Sequence, residues 1–158
     1  MLTEKIQTDL KNAMKSGDAF RLSVLRMAQA SIHNKSLEKR AQAVKAGSAP
    51  EEQELSDDEA VVVLRSEVKR RKDAALEFGK GNRAELAEKE MKEAGILQEY
   101  LPAEADDSAI EAAVAKSVEE AGKDPKMFGK VMGLAMKSLG SSASGDRVSA
   151  AVKKALGM

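Results

Sequence analysis

Apolar positions recur every three or four residues along most of the chain, the period of helices with one buried face. Ile6, Leu10, Ala13 and Met14 predict a first helix, closed by Gly17. Asp18 is placed to cap a second, which turns Leu22, Leu25, Ala28 and Ile32 inward and ends near Ala46. The polar run "AGSAPEEQE", residues 46–54, predicts a loop. Ser56 followed by Glu59 reads as a capping box, and the helix behind it buries Val61, Leu64, Val68, Ala75 and Phe78. "GKGN" breaks that helix. Asn82 then caps a fourth, in which Leu86, Met91, Ala94, Leu97 and Leu101 run on to Pro102. No segment makes a convincing strand.

Pro102 and the acidic connector "LPAEADD" mark a boundary, because proline stops a helix and Asp106 can cap the next. The fold class is therefore all-α and multihelical: a roughly four-helix region over residues 1–101, then a small three-helix domain over 102–158. In the second part Ile110, Ala113, Val114 and Val118 share one helix, ended by Gly122. Asp124 and Pro125, a cap followed by proline at the first helical position, start the stretch "MFGKVMGLAMK". "GSSASGD" separates it from a last helix with Val148, Ala151, Val152 and Ala155 inside.

Composition narrows the function classes. No run of apolar residues is long enough to span a membrane, and the charged N-terminal segment lacks the apolar core of a secretory signal. With no cysteine there is no disulfide framework, thiolate nucleophile or cysteine metal site, so the expected setting is a reducing cytosol and the localisation cytoplasmic. Aromatic residues are only 3 %, which leaves few platforms for stacking single-stranded bases. The net charge of zero hides a strong unevenness: residues 101–122 carry one basic and six acidic groups, whereas residues 123–158 carry seven basic and two acidic. The basic tail is the informative block.

Within that tail, the "MFGKVMGLAMK" helix carries two interior glycines, each weakening it by roughly 0.5–1 kcal/mol relative to alanine. Projected around a helix, Phe128, Val131, Met132, Ala135 and Leu139 fall on one side. Lys126, Lys130, Gly133 and Lys137 fall on the other within about 60° of one another, with Gly129 beside them. The pattern describes a strip without side chains, bordered by ammonium groups, where another backbone can come close. Two readings stand: a solvated face whose glycines admit a neighbouring helix, or a strip that receives a phosphate backbone. Ser144 and Gly145 would open the last helix, whose free N–H groups favour anions, with Arg147, Lys153 and Lys154 nearby. The bland reading of that segment is a serine-rich connector with a serine cap.

"EKEMKEAGILQEYLP", then "FGKVMGLAMK" and "ASGDRVSAAVKKAL", resembles the YqeY family, and "LKNAMKSGDAFRLSVLRMAQASIHNK" looks like that family's N-terminal segment. The C-terminal third of the family is similar to the tail domain of the B subunit of the tRNA-dependent amidotransferase, which binds tRNA away from the catalytic chemistry. The resemblance implies an all-helical two-part protein with an RNA-binding tail. Where the family pattern carries basic residues, this chain has Ser138, Gly140 and Ser142, with Lys137 compensating in part. Fewer phosphate contacts imply weaker binding.

Catalysis finds no support in the residues. His33 is the only histidine and has no second ligand type beside it for a metal. The carboxylates Glu51, Glu52, Glu54, Asp57, Asp58 and Glu59 sit in a loop and a helix start, where the helix dipole favours negative charge. No serine has the setting of a nucleophile, and no phosphate-binding loop has the required spacing. No cofactor, metal or small-molecule substrate is expected. A second basic group, Arg65, Lys69 and Lys72, lies beside an apolar stripe, with Arg70 and Arg71 elsewhere around the helix; with Glu67, Asp73 and Glu77 interspersed it reads as a solvated face laced by ion pairs, or else as an extension of an RNA track.

The sequence thus leads to a non-catalytic accessory module that binds tRNA, another structured RNA, or a tRNA-handling enzyme complex. The alternative is a helical protein–protein adaptor that binds no RNA. A carbon–nitrogen ligase role within an amidotransferase-related complex would be inherited from the resemblance alone, without catalytic residues.

Overall fold

The computed structural model describes residues 1–47 and 55–158. Most of the expected 46–54 loop, with Glu51, Glu52 and Glu54, lies outside the described residues. Among those described there are seven α-helices, two short 3₁₀ turns and no strand, an all-α multihelical fold. The chain divides into two compact units, Met1–Leu101 and Pro102–Met158.

In the first unit, helix α1 (Leu2–Ser16) ends on Gly17, whose φ of 74° places it in the left-handed region that glycine adopts freely. The Asp18 carboxylate accepts from the Arg21 N–H at 2.9 Å and opens α2 (Ala19–Lys45). Helix α3 (Asp57–Lys80) begins with the reciprocal box: the Glu59 N–H donates to the Ser56 hydroxyl and the Ser56 N–H to the Glu59 carboxylate. A tight reversal leads into α4 (Ala84–Gln98). The core joins Ile6, Leu25, Ala28 and Ile32 to Leu64, Val68, Ala94 and Leu97. Such burial supplies the main favourable term in folding, roughly 1.5–3 kcal/mol per large aliphatic side chain.

Several expectations for this unit are corrected. Asn82 does not cap α4. It takes a positive φ of 54° and reverses the chain, and Arg83 occupies the cap position without a side-chain bond. Asparagine tolerates that conformation better than most residues, so it terminates one helix rather than starting the next. Met14, Leu86 and Met91 are exposed and Phe78 only half-buried, whereas Val24 and Tyr100 belong to the core. On α3, Lys69 and Lys72 are exposed, in keeping with a solvated face, whereas Arg71, elsewhere around the helix, belongs to a buried ionic cluster. Arg71 donates to Glu67 at 2.7 Å and to Glu93 at 3.1 Å, while the Ser31 hydroxyl also donates to Glu67. Charge-assisted hydrogen bonds to two carboxylates offset the cost of burying the guanidinium.

In the second unit, Asp106 caps α5 (Asp107–Ala121) by accepting from the Ala109 N–H at 2.7 Å, and Gly122, with φ 102°, ends it. Asp124 caps a 3₁₀ turn, Pro125–Met127, that precedes α6 (Phe128–Leu139). A second turn, Gly140–Ser142, leads to α7 (Gly145–Leu156). Ile110, Val114 and Val118 pack with Val131, Ala135, Val148, Val152 and Leu156 around a closed core. Ala155, expected inside, is exposed. Val148, Val152 and Leu156 advance by four residues and roughly 40° each time, which centres the buried arc away from Ala155.

Candidate nucleic-acid interface

Helix α6 is strongly two-sided. Val131 and Ala135 are fully buried, with Phe128, Met132, Met136 and Leu139 packed partly against the core. These side chains fix which way the helix faces, and the opposite side carries Gly129, Lys130, Gly133 and Lys137, all exposed. A Cβ added at Gly129 or Gly133 would meet no other heavy atom within 4 Å. Neither glycine has the positive φ that would demand it for backbone reasons. The glycines therefore leave a bare strip of helix backbone, and no neighbouring helix of this unit occupies it. Lys126 is exposed too but belongs to the 3₁₀ turn before α6, so it stands off the end of the strip rather than within the continuous helix expected from the sequence.

Lys126, Lys130 and Lys137 make no ion pair with the described residues. Lys130 and Lys137 lie about 10 Å apart along the α6 axis at the helical rise, with Lys126 just before the helix begins. An exposed cation with no carboxylate beside it is available to an incoming anion at no loss of an existing pair.

The α7 residues behave differently. Ser144 is the N-cap of α7 and Gly145 its first residue, but the Ser144 side chain makes no capping bond. The first turn holds its own carboxylate, Asp146, which already complements the positive end of the helix dipole. Arg147 donates to Asp107 at 2.6 Å and to Glu104 at 3.2 Å. The hydrogen bond to Asp107, ahead of the Coulombic pull of both carboxylates, raises the Arg147 guanidinium above its ordinary value. Lys154 reaches Glu111 at 3.0 Å. Both cations are thus spent on the acidic face of α5, the part of the chain whose charge excess was visible from composition. Lys153 is exposed and unpaired among the described residues. Of the ten residues expected at the interface, the structure groups Gly129, Lys130, Gly133 and Lys137 on one face of α6, sets Lys126 beside them, and ties Arg147 and Lys154 elsewhere.

What the sequence reading missed is which cations of the tail are already paired. No spacing within one helix could show this, because Asp107 and Glu111 lie on α5 and the pairing depends on how α5 and α7 pack. His33 is exposed on α2, and among the described residues no group of three or more potential ligands could hold a metal ion. No helix among the described residues is long and apolar enough to cross a membrane.

The family profile described as Yqey-like protein matches residues 3–156, nearly the whole chain. The chain is also similar to the altered inheritance of mitochondria protein 41, mitochondrial, of Pyrenophora tritici-repentis (strain Pt-1C-BFP). The two are 29 % identical over 157 residues, which cover 97 % of this chain and 80 % of that protein.

Proposed function

The chain belongs to the Yqey-like family, and from that premise we propose that it is a non-catalytic accessory protein that binds structured RNA, tRNA above all, through the α6 strip. The observation that carries this reading is the open backbone at Gly129 and Gly133 beside Lys130 and Lys137. A bare helix surface lets a sugar–phosphate backbone approach closely, and the ammonium groups on its border replace condensed counterions. The strip offers binding and orientation only, since no nucleophile or general base lies on it.

An adaptor that docked an apolar helix would need apolar contact around the glycines. Across residues 102–158 the only large hydrophobic side chain that is exposed is the terminal Met158. That polar surface supports a polyanion over an apolar partner. An amidotransferase-like enzyme would then meet this protein as a carrier or positioner of tRNA, with amide transfer performed elsewhere.

The test is tRNA affinity at two salt concentrations for the native protein and three variants. Lys130→Ala and Lys137→Ala should each weaken binding to every RNA tried and lower the magnitude of the salt slope by about 1. Gly133→Leu should block approach without lowering the melting temperature, because leucine is the better helix former and the site is open. Native salt slopes in both lysine variants would sink the RNA reading. Salt-independent capture of a protein partner, lost in Gly133→Leu, would establish the adaptor instead.

A further inference from the structure

We propose that the cavity between α1 and α2 is a binding site for a small molecule that joins a compact anionic group, phosphate or carboxylate, to a short apolar tail. The cavity measures about 310 Å³, at the lower end of the range for ligand sites. From α2 it is lined by Gln29, His33, Ser36 and Arg40, which recur at helical spacing and so face it together. Ile6 from α1, Ile32 from α2 and Leu55 before α3 give it apolar walls. None of the described residues that line it is acidic.

Charge placement points to the ligand. The other cations on this stretch of α2 are engaged: Lys35 with Glu38 and Lys39 with Glu59, each at 2.8 Å. Arg40 has no such partner among the described residues, yet it borders the cavity. A planar guanidinium presents two parallel N–H donors that match a carboxylate or phosphate edge. His33 lies seven residues earlier on the same face, about 10 Å along the helix, and Ser36 between them adds a hydroxyl. The anionic group would sit between Arg40 and His33, with the tail against Ile6, Ile32 and Leu55. The site lies within residues 1–101 and is independent of the α6 strip.

His33, the only histidine, supplies a single imidazole C–H signal by proton NMR, and the full chain can be titrated with inorganic phosphate, hexanoate and hexyl phosphate at constant ionic strength. Hexyl phosphate or hexanoate should move that signal saturably, with a dissociation constant of about 1 mM and more tightly than inorganic phosphate. Arg40→Ala should weaken this at least about tenfold. Ser36→Phe, checked by melting temperature, should fill the cavity and abolish the response. Lys130→Ala should titrate as the native chain does. A shift that never saturates with any probe, equal affinity in Arg40→Ala, or equal binding of inorganic and hexyl phosphate would each overturn the proposal.

Discussion

The Tyr100 hydroxyl donates a 2.6 Å hydrogen bond to the Asp9 carboxylate, tying the chain just beyond α4 to α1 across 91 positions of sequence. Arg21 donates to the same hydroxyl and pairs with Glu99, and Lys5 lies 5.2 Å from the centre of the ring. Burial first, and then the bond to Asp9, push the Tyr100 phenol up to about 12. The neutral phenol is thus the form the fold prefers. Its contribution is fully present below about pH 10, the ordinary value for tyrosine, and is lost as pH rises through about 12. Tyr100→Phe should cost about 1–2 kcal/mol at neutral pH. The stability difference between native and variant, from denaturant melts, should stay constant up to about pH 10 and shrink above it. A difference independent of pH up to 12 would show that the phenol carries no such preference.

Arg71 is held between Glu67 and Glu93 in the first unit, with all three side chains largely buried. Arg71→Met would leave two carboxylates facing each other with only Arg70 and Lys89, at the solvent edge, to offset them. Loss of one member of a buried pair costs about 3–5 kcal/mol, and thermal unfolding should show it. Replacing all three at once, as Glu67→Leu, Arg71→Met and Glu93→Leu, should recover most of that loss, because no unpaired charge remains. If the triple variant is less stable than Arg71→Met, the cluster contributes more than mutual neutralisation.

The helix count, the caps at Asp18, Ser56 and Asp106 and the stops at Gly17 and Gly122 were legible because each rests on neighbours in sequence. The inner stripes of α2, α3 and α5 followed from periodicity for the same reason. Periodicity gives an arc but not its limits, so Ala155 and Met91 looked inward while Tyr100, beyond the end of α4, looked irrelevant. The Arg71 cluster was hidden because Glu93 lies on another helix, and an arginine among charged residues reads as solvated until its partner is placed. The α6 strip was readable from one helix alone. The pairing of Arg147 and Lys154 with α5 was not, since it depends on how two helices pack.

Gly133 on α6 has open space where a Cβ would stand. Gly133→Ala should therefore stabilise the protein by about 0.5–1 kcal/mol through the smaller entropy of the unfolded chain. The melting temperature should rise by a few degrees at most. Gly129→Ala should behave the same way. A loss of stability in either variant would mean that the glycine is packed against something in solution, and the strip would not be open.

Arg147 and Lys130 provide the sharpest comparison within the proposed interface. Both are cations of the basic tail, and composition cannot rank them. Arg147 is bound by Asp107 and Glu104, so an RNA phosphate would have to displace two carboxylates to reach it. Lys130 has no pair among the described residues and loses nothing on contact. Arg147→Ala should then alter tRNA affinity little, leave the salt slope unchanged, and lower stability only slightly, as is usual for exposed pairs. Lys130→Ala should do the reverse, keeping stability and reducing the slope by about 1. Asp107→Asn frees one side of the guanidinium and should strengthen RNA binding slightly, as an extra cation becomes available. If Arg147→Ala weakens tRNA binding as much as Lys130→Ala does, the α5 carboxylates release Arg147 on binding and the interface extends from α6 onto α7.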